Sequence, residues 1–263
     1  MATGHSPLAQ FEIKQILPLP QIAGIDLSFT NSALFMLIAV GCSVAFLVLG
    51  MGRGGVIPGR MQMLVETVHN AIANMVEQTA GHKSKAYFPF IFALFIFILF
   101  ANALGLIPYG FTATSHIIVT FALAIAVFLA VTLTGFAKHG LHFFGLFVPE
   151  GVPKVMIPFL FVVELLSFCV RPFSLSIRLF ANMLAGGILL KVFAGMAAGM
   201  VVAGLYGNPE AQQAPSMLQL FLAPLPLLLT IALTGFKLFV AGLQAYIFSI
   251  LTAVYLHDAL EMH

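Results

Sequence analysis

Apolar runs of membrane-crossing length divide this chain, separated by short polar punctuation, and one stretch between them carries a one-sided helical stripe. The first run extends from about Ala33 to Leu49, a little short of the ~20 residues that a spanning helix usually needs. It ends in Gly50-Met51-Gly52-Arg53-Gly54-Gly55, where glycines weaken the helix and arginine suits the headgroups. Runs from about Tyr87 to Ile107 and from about Ile117 to Ala137 predict a second and a third span. The second contains Asn102 and stops at Pro108; the third stops at Lys138. Two much longer runs follow, 155–206 and about 216–257, divided by the turn-forming Gly207-Asn208-Pro209-Glu210 and Pro215.

The two long runs do not fit a bilayer simply. As a helix, the first would measure roughly 75–80 Å at 1.5 Å per residue, against a hydrocarbon core of ~30 Å. Each run is either two spans or one long, steeply tilted helix. Pro172, Pro224 and Pro226 stand among apolar residues, and polar residues are spread along the runs rather than gathered at one end. Those features favour a strongly tilted helical hairpin over 155–257.

Between the first and second spans the period changes. Met61, Leu64, Val65, Val68, Ile72, Met75 and Val76 follow helical spacing, with Gln62, Glu66, His69, Asn70 and Glu77 opposite. This predicts an amphipathic helix over 60–80, lying on the membrane or against a partner helix. Residues 1–28 are polar enough to stay outside the bilayer, and Pro7, Pro18 and Pro20 discourage a long helix there. The expected fold class is thus an all-α integral membrane protein, a single polytopic domain over 1–263.

Composition agrees. Of 263 residues, 61% are hydrophobic and 8% charged, where globular chains carry roughly 25% charged. A formal net charge of +2 without a basic patch argues against nucleic-acid binding. Cys42 and Cys169 sit in apolar runs and read as small hydrophobes. His139 and His142 lie three apart, but nothing completes a metal-ligand set, so no metal or cofactor is expected. The N-terminus lacks the basic and apolar regions of a signal peptide. Arg53, Arg60, Lys83, Lys85, Lys138 and Lys154 fall on one side of alternating spans, whereas 108–115 and 207–215 have no Lys or Arg. The positive-inside rule puts the basic side in the cytoplasm, or the matrix of an organelle, and the N-terminus outside.

Charge inside the apolar runs is the candidate chemistry. Arginine stays protonated at any working pH, and holding it at bilayer depth costs at least ~2.5 kcal/mol. Arg178 lies well inside the first long run, with Asn182 one turn on and Glu164 within about 40° of it on an ideal helix. Buried membrane charges usually mark an ion path or a counter-charge, which makes Arg178 and Glu164 the leading candidates. Ser174 adds a hydroxyl nearby; Gly187 and Lys191 lie roughly opposite Arg178; Lys237 and Gln244 share a face in the second run. Plainer roles also fit: Arg171 and Lys191 can snorkel, and Asn182 and Gln244 can bond helices together for ~0.6 kcal/mol.

Arg178-Leu179-Phe180-Ala181-Asn182-Met183-Leu184-Ala185-Gly186 closely resembles the motif of subunit a of F-type rotary ATP synthases. Leu243-Gln244-Ala245-Tyr246-Ile247-Phe248 and Asn102-Ala103-Leu104-Gly105-Leu106-Ile107-Pro108 resemble it too. Pro7 to Ile13 and Tyr255-Leu256-His257-Asp258 are similar to the alphaproteobacterial and mitochondrial branch. The resemblance covers nearly the whole chain, in the family's order. It implies a stator subunit beside a ring of c subunits, held by b and b′ peripheral-stalk subunits, with protons entering and leaving by two offset half-channels. It implies a bacterial inner membrane, the mitochondrial inner membrane being second choice, and a cytoplasmic C-terminus.

By the same resemblance Arg178 matches the essential arginine, Asn182 and Gln244 flank it on the inlet side, and Glu164 matches the outlet carboxylate. Tyr255 matches a polar position near the cytoplasmic end. Asn102, Gly105, Pro108, Gly186 and Gly187 fall on motif positions. One departure stands out: many relatives hold an acid–histidine pair where this chain has Gly187 and Lys237. Lys237 extending into the space left by Gly187 is the expected substitute, with His116 a second inlet candidate. No nucleotide-binding loop occurs, so ATP chemistry belongs to partner subunits. The rival class, a secondary transporter or channel with an intramembrane Arg/Glu pair, predicts inverted repeats; the two halves of this sequence have no such similarity.

Overall fold

The computed structural model describes residues 12–18, 28–50, 59–81, 86–107, 110–140, 143, 145, 153, 156–207 and 217–260. Pro108, His142, Lys154 and the 208–216 turn lie outside the described residues, as do Arg53, Lys83, Lys85 and most of the Pro7–Ile13 motif. The fold is all-α and the protein an integral membrane protein. Its helices are α1 (Asn31–Gly50), α2 (Arg60–Ala80), α3 (Phe88–Leu104), α4 (Ile117–His139), α5 (Ile157–Tyr206), α6 (Met217–Leu222) and α7 (Pro224–Leu260).

Four stretches are long and apolar enough to cross a membrane: α1, α4, α5, and Met217–Leu260. The second expected span, α3, is shorter than the sequence suggests, because the chain leaves the helix at Gly105 rather than at Pro108. Glycine there is needed for close approach: a Cβ on Gly105 would collide with the Thr112 side chain.

The first long run is one continuous helix of 50 residues with Pro172 inside it. Proline has no N–H, so one rung of the hydrogen-bond ladder is missing there. The second run is not continuous: it breaks at Ala223, where Pro224 starts α7. Proline suits the first turn of a helix, where its missing N–H has no intrahelical partner to lose.

The N-terminal segment contributes something its prolines did not announce. Gln15–Leu17 (β1) pairs antiparallel with Phe29–Thr30 (β2). Asn31 ties this small ladder to the start of α1, its Nδ2 donating to the Glu12 carbonyl and its Oδ1 accepting from the Lys14 and Ser32 amides.

Helix α7 occupies the centre of the bundle. It packs against α3 and α2 on one side and against α5 and α4 on the other; α1 covers α3 and α2 from outside. Small residues make this possible. Ala241, Ala245 and Ala253 are buried in α7, and membrane helices rely on close backbone approach because lipid gives no hydrophobic drive for their association. Thr252 and Thr230, like Thr134 in α4, donate to carbonyls one turn back, which satisfies a hydroxyl without water.

The stripe of α2 is only half used. Ile72, Met75, Val76 and Ala80 are buried, while Met61 and Leu64 remain exposed. Val65 of the same helix crosses α1 at Gly50, where a Cβ would collide with it. The C-terminal half of α2 is therefore buried in the bundle, while its N-terminal half touches α1 through Val65 and leaves Met61, Met63 and Leu64 exposed.

Candidate functional site

The residues singled out in the sequence collect along the seam between α5 and α7. Two antiparallel helices bring 182 opposite 244 and 171 opposite 258. Asn182 Nδ2 donates to Gln244 Oε1 at 2.8 Å. The other end of that Gln244 amide, Nε2, is buried without a hydrogen-bond partner among the described residues, and so is Ser249 Oγ further along α7. An unmade hydrogen bond on a buried N–H costs ~1–3 kcal/mol, so this donor is poised for water or for a group arriving from outside the chain.

Arg178 sits one turn before Asn182, on the exposed side of α5. Among the described residues it makes no ion pair. The surface around it is apolar, with Phe173, Ile177, Leu189 and Val192 exposed on the same helix. A permanent cation on an exposed helix face, flanked by the exposed Asn182 bonded to the buried Gln244, can receive an anion. Glu164 lies two turns into α5 and is half-buried; Ser174 is exposed and, among the described residues, carries no hydrogen bond.

Lys237 is 7% exposed, the most enclosed lysine among the described residues. Its methylenes lie along Gly186: a Cβ built there would stand 3.6 Å from Lys237 Cγ and Cδ. Gly187, the expected neighbour, is buried in the same turn of α5.

Asn102 has a purely structural neighbourhood. It is fully buried, donates from Nδ2 to the Ala241 carbonyl at 3.3 Å, and accepts from Thr114 Oγ1 at 2.8 Å. One side chain thus joins α3, α7 and the Ala113–Ser115 turn. Replacing it with alanine strands the Thr114 hydroxyl and should cost ~1–2 kcal/mol. A lower melting temperature of the purified complex, with coupling intact, is the expected measurement.

His116 caps the start of α4 through its carbonyl, which accepts from the Val119 and Thr120 amides. Its ring stacks on Phe111 at 5.1 Å, and Nε2 is buried without a partner among the described residues. Burial lowers its pKa and favours the neutral imidazole.

Two contacts were missed by sequence reasoning. Arg171 is paired: its Nη1 bonds Asp258 Oδ2 at 3.1 Å, and its guanidinium lies 4.9 Å from the Tyr255 ring centre. Thr120 and Ser176 share a hydrogen bond at 3.1 Å between α4 and α5. Opposite charges on facing stretches of two antiparallel helices would have signalled the first; nothing signalled the second.

Comparison with known proteins gives one consistent result. The family model described as the ATP synthase A chain matches residues 33–257. ATP synthase subunit a of Parvibaculum lavamentivorans is 51% identical, over 97% of this chain and 93% of the relative. That of Chelativorans sp. is 50% identical over 99% of both. The protein of the same name from Rhodospirillum rubrum is 45% identical over 98% of this chain and its own full length. From its helices to its motifs, this chain belongs to the ATP synthase A chain family, that of the proton-translocating subunit a of F-type ATP synthases.

Proposed function

We propose that Arg178 is the fixed charge that separates two aqueous half-channels and meets, one after another, the proton-binding carboxylates of a rotating c-ring. The observation that carries this reading is the placement of Arg178: exposed on an apolar face of α5, unpaired among the described residues, and flanked by the Asn182–Gln244 bond. Beside such a cation a carboxylate is held in its charged form. A ring carboxylate gives up its proton as it approaches Arg178 and takes another after it has passed. Protons cannot cross directly, because the arginine repels them from the middle of the path.

Glu164, toward the cytoplasmic end of α5, is the outlet carboxylate on this reading, with Ser174 and Tyr255 on the same side. Lys237 stands on the inlet side with Asn182 and Gln244, and His116 marks an entry point at the outer end of α4. The Arg60 and Lys138 ends face the cytoplasm, the N-terminus faces outward, and the membrane is the bacterial inner membrane. The α5–α7 hairpin lies steeply tilted against the ring; helices of this length do not otherwise fit a ~30 Å core. The exposed Met61, Met63 and Leu64 of α2 are offered to the b and b′ stalk subunits.

Gln244→Leu separates positioning from folding. Interhelical hydrogen bonds in membranes average only ~0.6 kcal/mol, so the complex still assembles. ATP-driven proton pumping should nevertheless fall by about tenfold, the effect of 1–2 kcal/mol of lost positioning. The reading as a whole is tested by purifying the chain with its partners into liposomes and modifying the ring carboxylates with a carbodiimide. Ion flow should stop; flow that continued would disprove the c-ring mechanism.

A further inference from the structure

We propose that Arg171, Asp258 and the ring of Tyr255 form a positioning clamp that holds the Arg178 segment of α5 in register with α7 under rotor load. This rests on the reading of Arg178 given above and adds a residue pair to it.

Helix α5 is weakest beside its active arginine. Pro172 removes an N–H from the ladder about two turns before Arg178, and a missing rung is where a helix bends. The clamp sits immediately before that rung. Arg171 Nη1 bonds Asp258 Oδ2 at 3.1 Å, and its guanidinium is covered by Tyr255 at 4.9 Å and Phe168 at 5.8 Å. The charged side chains are only 25% and 35% exposed. Exposed ion pairs contribute little, but this one is partly sheltered by two rings.

The far partner is itself anchored. The last turn of α7 is buried at Leu256, Ala259 and Leu260. From α4, Lys138 Nζ donates to the Leu260 carbonyl at 3.4 Å, with His139 Nε2 3.3 Å from the same oxygen. Cations at a helix C-terminus oppose the dipole's negative end. Asp258 therefore belongs to a helix end fixed to α4, and Arg171 transfers that fixity to α5.

On the other side of Arg178 the Asn182–Gln244 bond is a second tie between the same helices. Arg178 is thus suspended between two cross-links, and the Arg171–Asp258 one adjoins the proline. A passing carboxylate pulls on Arg178; without the clamp, the segment after Pro172 can yield and the ring can slip without moving a proton.

The test uses the whole complex in liposomes and reads protons pumped per ATP hydrolysed. Arg171→Gln with Asp258→Asn leaves no lone charge behind, so the double variant assembles. Its pumping-to-hydrolysis ratio should fall about fivefold, the factor that ~1 kcal/mol makes in an equilibrium, with hydrolysis retained. The exchange Arg171→Asp with Asp258→Arg should recover most of the ratio, because the tie is restored with its charges reversed. A wild-type ratio in the neutral pair, or an exchange no better than that pair, overturns the clamp. If the neutral pair yields no complex, the exchange decides alone: coupled pumping supports the clamp and its absence overturns it. Arg178→Gln run in parallel keeps the two claims apart. If it pumps, the reading of Arg178 fails; if it does not and the neutral pair is normal, only the clamp fails.

Discussion

Arg178→Gln should abolish both ATP-driven proton pumping and proton-driven ATP synthesis, while the subunit should still assemble with its partners. The side chain lies on the exposed face of α5 and makes no ion pair among the described residues, so its loss removes little from the fold. Its effect is electrostatic. Unit charges 4 Å apart interact with about 4 kcal/mol at an effective dielectric of 20, which is about three pKa units. Without that interaction an arriving carboxylate keeps its proton, and the inlet and outlet no longer differ. Arg178→Lys should also fail to support synthesis, because an ammonium can lose its proton when desolvated and lacks the planar fork. Wild-type rates of synthesis in membranes carrying either variant would refute this.

Lys237→Met is expected to have the second largest effect. Lys237 is nearly enclosed, yet stretches along Gly186 between α7 and α5. Methionine keeps the length and apolar stem but has no proton to exchange. Synthesis should fall at least about tenfold, a modest part of the ~10²–10⁴ that a positioned proton-transfer group contributes. Assembly should be unaffected, since burying a thioether is cheaper than burying an amine. A companion pair sharpens the test. Gly187 is buried, so Gly187→Glu alone forces a long side chain into the seam occupied by Lys237. Joined with Lys237→His, the seam regains space, and the acid–histidine pair of many relatives is recreated. The double variant should synthesise ATP better than Gly187→Glu alone. Unchanged synthesis in Lys237→Met would remove Lys237 from the inlet.

How much of this was legible beforehand differs from element to element. Helix α5 was readable because hydrophobicity alone fixed a run far longer than a bilayer, and Pro172 sat in it without a cluster of turn-forming residues. The break at Ala223 was not, since proline can open a helix or interrupt one, and packing decides which. The β1–β2 ladder was hidden because its strands are three and two residues long and their partners are distant in sequence. For the site, helical periodicity put Arg178 and Asn182 on one side, and the chain folds that way. It could not pair Asn182 with Gln244, because contact between helices depends on crossing geometry. The same limit left the Asp258 partner of Arg171 unread. Single-helix physics is local; register between helices is not.

The most direct test of the central claim is where Arg178 faces. Ile177 is 52% exposed beside it, whereas Leu179 and Met183 are fully buried. Cysteines placed singly at 177, 179 and 183 can be oxidised against a cysteine one turn from the ring carboxylate in the assembled complex. Cross-linking at 177 that stops ATP-driven rotation, with none at 179 or 183, is the predicted result. Cross-linking at the buried positions, or none at 177 in a coupled complex, would contradict a fixed arginine facing the rotor.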